Sequence, residues 1–202
     1  MRSRTMRLGL VGPGANARGE LERALKLLLG DPAVRHVLYL GDDDAVDPLV
    51  AEWSQGGLDD DALLSRAAEL ACQGSADEIT ALLEQDRGAR RARAVRKLPP
   101  PPARAVEMLD RFIVLGVHDK AVLDEDDIAS AHVVVYGKAD DPSLRRFGPR
   151  SFFTPGHVLN GHVGCLEIIA NGQCEVRLLT LSGNVVLRER LAIPGAKVVV
   201  TA

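Results

Sequence analysis

RLGLVGPGANARGELERALKLLLG (7–30), followed by VLYLGDDDAVDP (37–48), decides how the rest of the chain is read. Arg7–Val11 is a short apolar run of strand length that breaks at Gly12-Pro13-Gly14. In Glu20–Leu29, Leu21, Leu25 and Leu28 recur at helical spacing, and Gly30 suits the end of that helix. Val37–Leu40 is a second strand-like run. Asp47-Pro48 then supplies an aspartate cap followed by proline, opening a helix that reaches about Trp53. Strand, helix, strand, helix predicts a sheet with parallel strands. Open sheets of this kind place their chemistry in the loops at strand ends.

Further along, Asp59–Ala71 reads as helical. Ser75-x-x-Glu78 has the capping-box spacing, so Asp77–Gln85 is predicted as a helix. DRGARRARAVRK (86–97) is basic, and Pro99–Pro102 is an extended spacer; together they read as a basic, proline-rich linker near 86–102. Beyond it the pattern changes to strands: Ala105–Leu109, Phe112–Val117, Val133–Tyr136, Ser151–Phe153, Val163–Ile169, Cys174–Leu181, Val185–Arg190 and Val198–Val200. Asn171-Gly172 and Gly183-Asn184 are hairpin-turn signals.

Composition narrows the class. The chain has 202 residues, 46% of them hydrophobic and 26% charged, with a net charge of −3. That describes one ordinary folded domain over 1–202. It gives no strong field to select nucleic acid or a membrane as partner. Aromatic residues are only 3%, so the core is built from Ala, Leu and Val. No apolar run approaches the roughly 18 residues of a membrane span. The start, MRSRTMRLGLVG, is basic then apolar, but the apolar stretch is short and leads into the first strand; a cytoplasmic location is expected. Cys72, Cys165 and Cys174 are odd in number and lack CxxC spacing, as for thiols of a reduced compartment. The Ala, Arg and Pro usage points to a GC-rich bacterial genome.

Five segments stand where strands should end: LGLVGPGAN (8–16), LYLGDDDAVD (38–47), CQGSADE (72–78), IVLGVHD (113–119) and VVVYGKADD (133–141). In order, they resemble the segment series of the calcineurin-like metallophosphoesterases, above all the small single-domain phosphodiesterases. The similarity runs from about residue 7 to about residue 190. It includes Thr154-Pro155-Gly156, where that family commonly has Asn-Pro-Gly. The resemblance implies a two-sheet α/β sandwich flanked by helices, and a short strand near Leu70–Gln73.

It also implies a site that has lost its ligands. Where the family carries Asp-x-His, Gly-Asp, Gly-Asn-His or Gly-Asn-x-Asp, a lone His before Gly, and Gly-His-x-His, this chain has other residues. They are Pro13-Gly14-Ala15, Gly41-Asp42, Gly74-Ser75-Ala76-Asp77, Leu115-Gly116 and Gly137-Lys138-Ala139-Asp140. A dinuclear centre needs about six or more N and O ligands converging from several strand ends. On the resemblance, Asp42 keeps the bridging position and Asp77 the acidic end of its motif. Pro13, Ala15 and Leu115 offer no side-chain lone pair. Ser75 is a weak ligand, Lys138 puts an ammonium where a cation belongs, and Asp140 replaces a histidine. The expectation is a protein without catalytic residues, metal or cofactor, acting as a scaffold on a protein partner. The retromer coat's phosphoesterase-like subunit is a precedent within the resembled fold. Lys138 is then expected among Asp42, Asp77 and Asp140, replacing the lost metal charge.

Two alternatives stay open. Asp42, Asp77, His118 and Asp140, with Asp43, Asp44 and Asp119 nearby, could form a displaced site for manganese or another divalent metal, making a rearranged phosphodiesterase. Gly12-Pro13-Gly14-Ala15-Asn16-Ala17 matches G-x-G-x-x-A after a strand and could sense a nucleotide. Against this, Pro13 removes a backbone donor and Asp42 lies about 30 residues on, where a dinucleotide site wants its acid at about 20. The arginines of 87–96 lack interleaved aromatics for base stacking, which argues against nucleic acid. His157 and His162 do not match a zinc motif.

Overall fold

The computed structural model describes residues 6–55, 57–169 and 172–191. The chain divides into two compact units, one of Met1–Val46 with Arg96–Ala202 and one of Asp47–Val95.

The larger unit is an α/β sandwich of two mixed sheets. Strands β1 (Met6–Val11), β2 (Val34–Tyr39), β3 (Val95–Lys97), β9 (His162–Ile168), β10 (Cys174–Thr180) and β11 (Val185–Arg190) form one sheet in the order β11-β10-β9-β1-β2-β3. Strands β4 (Ala105–Leu109), β5 (Phe112–Val117), β6 (Val133–Tyr136), β7 (Ser143–Phe147) and β8 (Arg150–Thr154) form the other, in the order β4-β5-β6-β8-β7. The pairs β1–β2, β5–β6 and β6–β8 are parallel. The late strands pair as antiparallel hairpins, with Gly183 at a positive φ of 86° in the last turn.

Alternation along the strands builds the core. Leu8 and Leu10, Leu38 and Leu40, Phe112 and Val114, Val133 and Val135, Phe153 and Leu166 are buried in one apolar cluster. Helix α1 (Arg18–Gly30) buries Leu21, Leu25 and Leu28. Its Leu28 lies against Gly9, where a Cβ would sit 3.0 Å from the leucine methyl. A second apolar cluster, Leu115, Val117, Ala131, Val134 and Tyr136, lies beside the short helix α5 (Glu125–Ser130). Burial of these side chains, at about 25 cal/mol per Å², is what drives the sandwich together.

The smaller unit is helical: α2 (Asp47–Ser54), α3 (Asp60–Gln73) and α4 (Ala76–Ala92). Asp59 caps α3 through the Ala62 N–H. Ser75 and Glu78 form the expected capping box at the start of α4. Arg90 pairs with both Asp86 and Asp60, tying α4 to α3.

Several expectations change here. No strand forms at 70–73; α3 continues through Gln73, because Gly74 ends the helix by returning its N–H to Leu70 (2.7 Å). Residues 86–92 are the last turns of α4, not linker. Their basic residues Arg90 and Arg91 suit the negative end of the helix dipole. Val95–Lys97, at the end of the basic run, is β3, at the edge beside β2. The exposed strand β7 and helix α5 had no signal strong enough to be picked out. The expected strand Val198–Val200 lies outside the described residues.

Candidate functional site: the strand-end rim

The loops after β1, β2, β3, β5, β6 and β8 converge at one end of the sandwich. Backbone contacts hold them. The Val158 N–H donates to the Pro13 carbonyl (3.0 Å), and the His157 N–H donates to that of Asp140 (2.9 Å). Gly12 lies against the Gly156 carbonyl and Gly137 against the Leu40 carbonyl. A Cβ at either glycine would fall 1.8 or 1.9 Å from the oxygen. Glycine is required there by close backbone approach.

Two of the five sequence slots move. The loop that leaves the strand beside β2 is Leu98–Pro101, and it lines a pocket of about 190 Å³ with Gly41, Asp42, Asp44, Lys97 and His118. Ser75 and Asp77 instead cap and begin α4, where both are exposed. Leu115 lies two residues inside β5, buried in the second apolar cluster. The rim residues after β5 are His118 and Asp119. Pro13, Ala15, Asp42, Lys138 and Asp140 do lie on rim loops, with Ala15, Asp42, Lys138 and Asp140 exposed.

Side chains on the rim are paired with one another. The Nδ1–H of His118 donates to the Leu40 carbonyl (3.0 Å), which turns Nε2 toward Asp42 at 3.5 Å. Lys97 pairs with Asp44. Lys138 donates to Asp119 Oδ2 at 2.6 Å, and the Ala121 N–H donates to Asp119 Oδ1 at 2.9 Å. This hydrogen bond from Lys138 holds the Asp119 carboxyl below its ordinary range and raises the lysine in turn. The expected surroundings of Lys138 are corrected in part: it is 66% exposed and its ion pair is with Asp119, while Asp42 acts on it only through its more distant charge.

Tyr39 is the residue that sequence reasoning missed. Its ring is fully buried at the end of β2. Its hydroxyl accepts from the Gly14 N–H (2.8 Å) and donates to Asp43 Oδ1 (2.6 Å). Burial, and then the Asp43 carboxylate, push the phenol well above its usual range, so it stays a neutral donor. An aromatic residue at a strand end, in a chain so poor in aromatics, was the available signal. The same contact takes up a backbone donor of the Gly12–Ala17 turn. Gly12 is explained by the Gly156 carbonyl, and neither glycine is left as a phosphate cradle.

These residues do not fit a dinuclear metal centre. Among the described residues, no three His, Cys, Asp or Glu side chains are grouped to hold a metal ion. Of the displaced set, Asp42 and His118 come together; Asp77 lies in the helical unit. Asp140 uses its carbonyl to accept from His157 and from the Asn160 side-chain amide (2.6 Å).

The architecture matches solved phosphoesterase structures. A conserved uncharacterised protein from Streptococcus pneumoniae TIGR4, described as a predicted phosphoesterase, superposes with a TM-score of 0.55 at 15% identity, over 94% of this chain and 98% of that one. Yfce, a phosphoesterase from E. coli, gives 0.54 at 13% identity over 93% and 100%. Vacuolar Protein Sorting 29 from Cryptosporidium parvum gives 0.53 at 11% over 94% and 99%. No protein-family model and no curated protein matches the sequence. The chain has the calcineurin-like metallophosphoesterase fold.

Proposed function

We propose that this protein is a catalytically inactive phosphoesterase-fold protein that acts by binding a protein partner. The observation that carries the reading is the Lys138–Asp119 pair at the end of β6, where the chain's own exposed ammonium meets the carboxylate facing it. Asp44 likewise meets Lys97, and Asp43 accepts from the Tyr39 hydroxyl. A carboxylate already neutralised by the chain's own donors gains less from a metal ion, and a nearby ammonium opposes one by simple repulsion. Pro13 and Ala15 contribute no donor atoms on the opposite side. With a fold retained and its chemistry dispersed, the remaining use is as a surface, in the cytoplasm of a bacterial cell. Among the described residues no helix is long and apolar enough to cross a membrane.

A second reading, a phosphodiesterase with a single metal, draws on one observation. His118 is oriented by Leu40 and aims Nε2 at Asp42, the way a metal-binding histidine is held by its outer partner. Hydrolysis of a generic phosphodiester with added manganese separates the two. The scaffold reading expects no turnover above buffer. Turnover that disappears in both Asp42→Ala and His118→Ala would establish the second.

A further inference from the structure

His132 stands where α5 gives way to β6, at the end of the second sheet away from the rim. Its main chain and its ring hold the same residue of β5. The His132 N–H donates to the Ile113 carbonyl (2.9 Å), and the ring Nδ1 accepts the Ile113 N–H (3.0 Å). On the other side, the Ser151 N–H of β8 donates to the His132 carbonyl (3.1 Å). Phe112 packs edge-on to the ring, with centroids 6.0 Å apart. A ring nitrogen that accepts a backbone N–H carries no proton, whereas imidazolium is a donor at both nitrogens. The ring is therefore neutral in this fold.

The charged groups around it oppose a proton. Arg150 of β8 acts on the ring as a like charge. Its guanidinium donates to the Ile128 carbonyl and to that of Ala129 (2.8 Å), near the end of α5. Those carbonyls are the negative end of the helix, which would otherwise favour a second cation here. The carboxylates of the neighbouring elements are engaged elsewhere or exposed. Asp127 of α5 pairs with Arg104, Glu107 of β4 with His36 and Arg96, and Asp110 with Arg111. Glu125 and Asp126 of α5 are exposed. β5 and β6 bring no ionisable group but Tyr136. Burial, and then the Arg150 charge, hold His132 below the ordinary histidine range.

We infer that His132 is an acid-sensitive latch that holds the end of α5 on the second sheet. Protonation of Nδ1 sets two donors face to face, so the ring loses the Ile113 N–H and is pushed away from Arg150. Arg150 is itself bound to Ile128 and Ala129, so the change falls on the junction of α5 and β6. Leu123 and Ala131, which flank α5, are packed in the second apolar cluster with Leu115, Val134 and Tyr136. Loosening at Ala131 uncovers that cluster. Arg104 pairs with Asp124 and Asp127 and donates to the Val122 carbonyl, which keeps the other end of the segment in place. The neutral ring belongs to the closed form. The latch is therefore fully closed above the ordinary histidine pKa of about 6.5, and opens as pH falls from there through the lowered value. Acid thereby changes the surface offered to a partner, and this does not depend on whether the rim is catalytic.

Nuclear magnetic resonance of the full chain, titrated from about pH 7.5 to about pH 5 across the histidine range, tests it. The Ile113 amide should titrate with the His132 ring. Over the same range the Ala131 amide, which donates to the Asp127 carbonyl (3.2 Å), should lose protection from hydrogen exchange. The loss should be on the order of ten-fold, beyond the intrinsic effect of pH on exchange. The Leu21 amide of α1, which donates to the Ala17 carbonyl (2.9 Å), should keep its protection. His132→Asn keeps an acceptor near the position of Nδ1 and cannot take up the proton, so Ala131 should stay protected throughout. Arg150→Gln removes the like charge, and the His132 ring should then titrate at a higher pH. A ring that stays neutral over the whole range overturns the inference. So does one that titrates without moving the Ile113 amide and the Ala131 protection, or a loss of protection that His132→Asn does not prevent. Should His132→Asn fail to fold, the wild-type titration decides alone.

Discussion

Beneath the rim, Gly12 and Gly137 touch the Gly156 and Leu40 carbonyls, so closely that no side chain fits. One layer outward, Asp42, Asp44 and Asp119 meet His118, Lys97 and Lys138 through exposed or half-exposed side chains. The deeper layer is backbone packed on backbone. It holds the strand ends together whether or not a ligand sits above it. The outer layer is free to change without cost to the fold, and its side chains decide whether the rim can do chemistry. The glycines answer to packing, and the side chains above them to whatever the rim binds.

That contrast predicts a steep gradient of mutational cost. Gly12→Ala and Gly137→Ala should be the worst changes, because the new methyl must displace the backbone of Gly156 or of Leu40. A loss of about 4 kcal/mol or more is expected, at the far end of what single substitutions do. In a chain of this size that lowers the thermal midpoint by on the order of 10 °C. A midpoint within about 2 °C of wild type would break the comparison at its deeper layer.

Tyr39→Phe lies between the layers. It keeps the ring and removes the hydroxyl that joins Gly14 to Asp43, leaving a buried N–H without its acceptor. Chemical denaturation should show a loss of about 1–3 kcal/mol. Protection of the Gly14 amide from hydrogen exchange should fall with it; unchanged protection would remove Tyr39 as the brace.

Lys138→Ala tests the outer layer. The ammonium is exposed and its pair with Asp119 is screened by water, so the midpoint should stay within about 1 °C of wild type. A large fall would mean that the pair is structural. The pair has a defined pH dependence. The folded state depresses the Asp119 carboxyl, so its small stabilisation is present above the ordinary carboxylate range and is lost as pH falls through the lowered value.

Much of the fold was legible because the apolar periods were clean. Leu21, Leu25 and Leu28 gave α1, and the Ser75/Glu78 spacing gave the start of α4. The alternation in 105–117 and 163–190 gave the hairpins. The site was legible only in part. Gly12, Asp42 and Gly137 mark rim loops by type and spacing. Gly74-Ser75 imitates a strand end, because a helix stop and a helix start share its residues. The true third loop, Leu98–Pro101, is preceded by a three-residue strand too short to show a period. The Lys138–Asp119 pair joins two different strand ends, and Tyr39, although only four residues from Asp43, acts as a brace through the distant Gly14 N–H; no local pattern announces either.

The central claim is that the chain's own side chains occupy the role of the metals on this rim. Elemental analysis of protein purified after equilibration with manganese and zinc measures it most directly. The account predicts well under one metal ion per chain, the same in wild type and Asp42→Ala. One or more ions per chain, lost in Asp42→Ala, would contradict it.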